Sequence, residues 1–101
     1  MTLDQLRLFI AVAEREHVTA ASQAMNVTQS AVSAAIAALE ARYGIKLFHR
    51  VGRGIALTDA GRLFLPEARA VVAQASAAEN ILKDISGLRG GQLKAVASQT
   101  I

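Results

Sequence analysis

The chain has 101 residues, 52% hydrophobic but only 4% aromatic, with no cysteine and a formal net charge of +3. That length suits one small domain with an appendage and not two full cores, and an apolar share rich in alanine favours helix over a large buried core. Lack of cysteine excludes disulfides and thiolate metal sites, and His17 and His49 alone make no zinc ligand set. No apolar run approaches the roughly 18 residues of a membrane span. Met1–Phe9 carries Asp4 and lacks the basic start of a signal peptide. A soluble cytoplasmic protein without metal or other cofactor, and with no membrane partner, is expected.

Thr2 and Gln5 open the first helix at capping-box spacing, where each side chain satisfies the other's backbone N–H. Leu3, Leu6, Phe9, Ile10 and Ala13 then recur at helical intervals and predict one buried face. The pattern breaks near Glu16 and His17. A short helix over Val18–Met25 follows, with Thr19 at or just inside its start. Asn26-Val27 forms a tight turn, since asparagine tolerates left-handed backbone.

Thr28 is a good N-cap for a third helix that reaches Tyr43 and stops at Gly44. Val32, Ile36, Leu39 and Tyr43 form its core face; Ser30, Ser33, Ala34, Ala37 and Ala41 lie opposite. Between Gln29 and Leu39 there is no charged residue. Solvent-facing helix surfaces usually carry charge, so an alanine and serine surface suits close approach to a DNA groove, another helix or a backbone. The plainer alternative is that alanine merely stabilises the helix. Gln29 and Ser33, one turn apart, are placed to hydrogen-bond base edges, with alanines against thymine methyls.

Ile45–Phe48 and Ile55–Thr58 read as two short strands around His49–Gly54, with arginines projecting from a glycine-containing tip. Residues 41–65 hold five basic residues against one acidic, and the rest of the chain six against seven. A positive excess confined to one segment fits a footprint for phosphates, the alternative being a solvated basic loop. These elements together predict a mainly α fold, a winged helix-turn-helix over residues 1–58 with the helix-turn-helix at about 18–37.

A long helix is expected over 59–87, with Thr58 as its cap. Phe64, Ala68, Val71, Ala75, Ala78, Leu82 and Ile85 alternate steps of four and three, a heptad seam, which Leu65, Val72 and Ile81 widen. At about 1.5 Å per residue the helix spans roughly 40 Å, too long for so small a domain to cover, so its apolar face calls for a second copy. Pro66 removes one hydrogen bond and is expected to bend the first turns. Residues 88–101, with Gly90 and Gly91, read as a hinge and the first strand of another domain, so the chain reads as a piece of something longer.

These residues resemble the N-terminal region of the LysR-type transcriptional regulators over essentially the whole chain. The likeness is carried by Leu6, Phe9 and Ala13, by Ala20-Ala21, and by the run from Met25 to Ser33. It continues through Ile36, Leu39-Glu40, Gly44, Leu47-Phe48, Arg50, Arg53, Leu57-Thr58 and Ala60-Gly61. Each piece is weak alone; together, at this spacing, they are specific. The resemblance implies sequence-specific binding of double-stranded promoter DNA at interrupted palindromes. It further implies a homodimer built on the linker helix, a tetramer at full length, and a C-terminal domain that senses a small molecule, with RNA polymerase a candidate partner. By the same resemblance Gln29, Ser30 and Ser33 sit in the major groove, Thr28 lies near phosphate and Arg53 on the wing reaches the minor groove; Ala34, Ala37 and Arg50 complete the candidate interface. Two residues depart from the family's pattern: Ser30 stands where many members have proline, and Ala34 where many have a longer polar or basic side chain.

The competing reading is a helical protein-interaction module without DNA binding, for which Arg50 and Arg53 on a glycine-rich hairpin have no use. An enzyme is not expected: no nucleophile–base pair, metal cluster or phosphate loop is visible. Arg50 either contacts DNA or braces the wing against a carboxylate; His49 reads as an exposed wing residue, and Glu40 as a local pair or an anchor of the wing.

Overall fold

The computed structural model describes residues 1–87, which form α1 (Leu3–Arg15), α2 (Val18–Met25), α3 (Gln29–Tyr43), β1 (Phe48–Val51), β2 (Gly54–Leu57) and α4 (Asp59–Gly87). The expected hinge and strand over 88–101 lie outside the described residues. Local chemistry sets most of these boundaries. Thr2 and Gln5 form the capping box at the start of α1. Thr28 accepts the Ala31 N–H at the start of α3, and Gly44, with φ +65°, ends that helix. α2 starts as expected, with Thr19 just inside it, and its cap is His17, whose Nδ1 accepts the Ala20 N–H at 3.2 Å. Thr19 is the second residue of the helix, and its carbonyl accepts the Ser22 hydroxyl at 2.7 Å.

Two groups of side chains make the core. Leu8, Ala11, Val12, Ala21, Val32 and Ile36 join α1 to the helix-turn-helix. Leu6, Phe9, Leu39, Leu47 and Ala68 join α1 to the end of α3, the root of the wing and α4. Phe9 is fully buried between Phe48 and Phe64, with ring centroids 5.3 and 5.0 Å away in tilted geometry, a favoured aromatic arrangement. α4 runs along α1 in the opposite direction: Arg69 pairs with Glu14 and Arg7 with Glu79. Beyond Glu79 it leaves the domain, and the molecule measures 58 × 25 × 20 Å.

Three expectations need correction. The first strand is Phe48–Val51 and not Ile45–Phe48, because Leu47 is 2% exposed and belongs to the core. His49 and Arg50 therefore lie in the strand, and Val51 pairs with Gly54, leaving Gly52 and Arg53 as a two-residue turn. Gly52 has φ +57°, the positive value such turns demand at their first central position. The heptad seam is also divided: Ala68 is 1% exposed within the single chain and Phe64 packs on Phe9, so both serve the chain's own core. Of the seam, Val71, Ala78 and Leu82 remain exposed, with Ala75 and Ile85 half-buried.

Glu16 ends α1 in the left-handed region at φ 53°, a conformation that charges a residue with a Cβ about 1–2 kcal/mol. Its carbonyl accepts the Ile55 N–H at 3.3 Å, which ties the wing to the α1–α2 turn. Glu16→Gly relieves that strain, partly offset by the backbone entropy glycine loses on folding. The expected outcome is a gain of about 0.5 kcal/mol in thermal unfolding.

Candidate nucleic-acid interface

The wing stands across from the start of α3, and a cleft of about 240 Å³ separates them. His17, Thr19, Gln29, Ser33, Arg50 and Arg53 are among the residues that line it. Four of these were expected at the interface from the sequence, and the fold brings them together from α3, β1 and the hairpin turn. Thr28, Ser30, Ala34 and Ala37 lie outside the cleft but are exposed on the same helix. His17 and Thr19 were missed. The break in apolar periodicity at His17 was visible, but only the wing's return onto the Glu16 carbonyl brings that turn beside Arg53.

Two side-chain roles give the cleft its electrostatic character. Among the described residues neither Arg50 nor Arg53 has an ionic partner, whereas Arg7, Arg15, Lys46, Arg62 and Arg69 each pair with a carboxylate. The bracing pair allowed for Arg50 is thus not made. Two uncompensated guanidiniums, each a rigid fork of donors, suit phosphate oxygens. Facing them, α3 from Gln29 to Leu39 holds no charge, so a polyanion meets no repulsion there. Thr28 is committed to its helix, its Oγ1 accepting the Ala31 N–H at 3.1 Å. Gln29 and Ser33 have no such commitment among the described residues.

A second surface lies outside the cleft. Met1, Leu39, Tyr43, Ile45, Leu47 and Phe64 line an almost wholly apolar groove beside the start of α4. Along α4, Leu63 is 76% exposed, Ile81 49% and Leu82 67%. Large exposed aliphatics in such number mark a contact surface.

A family model described as bacterial regulatory helix-turn-helix protein, lysR family, matches residues 3–62. An uncharacterized HTH-type transcriptional regulator in the ibpB-leuC intergenic region of Azotobacter vinelandii is 39% identical over the whole chain, which spans 70% of that protein. The RuBisCO operon transcriptional regulator of Allochromatium vinosum is 34% identical, again over the whole chain, but the chain spans only 33% of its length. Among solved structures, the CbnR DNA-binding domain in complex with DNA superposes with a TM-score of 0.77 at 37% identity, covering 85% of this chain and 99% of that one.

Proposed function

The chain belongs to the lysR family of bacterial regulatory helix-turn-helix proteins, transcriptional regulators and not enzymes, and from that premise we propose that it is the DNA-binding part of a sequence-specific regulator of promoters. The observation that carries this reading is the cleft, where two unpaired guanidiniums face an uncharged recognition helix. α3 enters the major groove with Gln29, Ser30 and Ser33 toward base edges and Ala34 and Ala37 close to the groove floor. The helix face offers no arginine or lysine for guanine, so readout there rests on glutamine to adenine, serine, and methyl contacts to thymine, with duplex shape supplying the rest. Arg53 at the hairpin turn reaches the minor groove, Arg50 a phosphate, and Thr28 lies near the backbone. A protein-interaction module has no use for this pairing of charge and neutrality.

Two copies associate through α4. Exposed Leu63 and Val71 lie before Gln74, and exposed Ala78, Ile81 and Leu82, with half-buried Ile85, lie beyond it. In an antiparallel pair centred near Gln74, the apolar end of one helix meets Leu63 and the apolar groove of its partner; a parallel pair would leave that groove bare. The full-length protein then carries an effector-sensing domain, assembles further to a tetramer, and acts in the cytoplasm beside RNA polymerase. No helix among the described residues is long and apolar enough to cross a membrane.

Substitution separates base readout by α3 from the contact made by the wing. Arg53→Ala is expected to weaken duplex binding by about 1–3 kcal/mol, on operator and random DNA alike, with the fold intact. Gln29→Ala is expected to weaken operator binding by a similar amount but leave random DNA little changed. Fluorescence anisotropy on both duplexes reads the difference. Equal loss on both from Gln29→Ala would assign that residue to the backbone.

A further inference from the structure

We propose that Glu40 is a positioning residue for DNA recognition: its carboxylate registers the wing against the recognition helix, so that Arg50 and Arg53 stand across the cleft from Gln29 and Ser33. The inference rests on the DNA-binding reading above. Glu40 sits in the last turn of α3 with its side chain 13% exposed. An anion there opposes the negative end of the helix dipole, so the helix itself gives no reason for it. Its contacts do. Oε2 accepts the Leu47 N–H at 2.7 Å and the Phe48 N–H at 3.4 Å, and Oε1 lies 3.9 Å from the Lys46 ammonium. Three donors from consecutive residues converge on one acceptor-only group, and they belong to the segment that becomes β1.

That segment is held on its other side by α4. The Thr58 hydroxyl donates to the Lys46 carbonyl at 2.6 Å and accepts the Gly61 N–H at 3.1 Å, while the Thr58 N–H donates to the Leu47 carbonyl at 3.0 Å. Those bonds tie the root of the wing to α4 and not to α3. Among the described residues, the side-chain hydrogen bonds from α3 to this root all come from Glu40. Without the carboxylate, the two part-buried N–H groups lose their acceptor, and the wing keeps its tethers to α4 and to Glu16 but loses its register with the recognition helix. Glutamine can still accept the Leu47 N–H, but its amide nitrogen cannot accept from Lys46.

A double-mutant cycle tests this. In the otherwise unaltered chain, Arg53→Ala is expected to weaken operator binding about tenfold, within the range for such contacts. In a Glu40→Ala background the same substitution is expected to cost less than about twofold, because the arginine is already displaced. Glu40→Gln should restore part of the Arg53 contribution, and it provides the cycle if the alanine variant does not fold. Amide hydrogen exchange supplies a readout without DNA: Leu47 and Phe48 should lose protection in the Glu40 variants while Phe9 and Val12 in α1 keep theirs. A tenfold loss from Arg53→Ala in both backgrounds, with exchange at Leu47 unchanged, would overturn the proposal and leave the DNA-binding reading standing. If Arg53→Ala has no effect even with Glu40 present, the wing contact itself falls, and this coupling with it.

Discussion

Replacing Val71 and Leu82 together by aspartate is expected to make the chain monomeric and to weaken operator binding by about 100-fold or more. Both residues are well exposed in the single chain, at 44% and 67%, so the substitutions remove little intrachain packing. In a dimer they would place charges in an apolar contact, where burial without a partner costs several kcal/mol. Two linked recognition helices bind two half-sites with an effective concentration in the millimolar range, an advantage of about 10²–10⁴ that a monomer forfeits. Sedimentation velocity and anisotropy on the same protein read both effects. A doubly substituted chain that stays dimeric would remove α4 from the interface.

The second large effect falls on stability, at Gly61. An exposed helical Gly→Ala exchange normally gains about 1 kcal/mol. Here the sign reverses, because an added Cβ would fall on the carbonyl of Leu47 and come within 2.8 Å of Leu57 Cδ2. A backbone carbonyl does not turn aside as a flexible side chain does, so α4 and the root of the wing must separate. Gly61→Ala is expected to destabilise by about 2 kcal/mol, in the range for overpacked cores. That loss corresponds to a fall of roughly 10 °C in melting temperature for a domain of this size. Unchanged melting would mean that α4 does not pack against Leu47 as described.

Much of this architecture is legible in the sequence because its signals are local. Thr2 with Gln5, Thr28, and Gly44 are short-range hydrogen-bonding or backbone devices, and the helices end where those residues stand. The errors came where distant parts meet. Leu47 reads as a strand residue by its apolar neighbours, yet the core and Glu40 claim it, which moves β1 along by three residues. A heptad pattern reports which face of α4 is apolar but not which copy of the chain covers it. Phe64 and Ala68 proved to face Phe9 and Leu47 within the chain. Of the residues lining the cleft, Gln29, Ser33, Arg50 and Arg53 were singled out by charge and family pattern. His17 was not, since its place beside the wing depends on a hydrogen bond between Ile55 and the strained turn at Glu16.

The central claim, that the cleft and α3 bind duplex DNA, is tested most directly by titrating duplex binding against salt. Each neutralised phosphate releases counterions, so the logarithm of the binding constant falls linearly with the logarithm of salt concentration, by about 0.9 per contact. With about four to six phosphate contacts per dimer, the expected slope is near −4 to −5. Arg50→Ala should make that slope shallower by about 1 to 2, one phosphate contact from each copy. A slope near zero, or duplex binding indifferent to salt, would contradict the account.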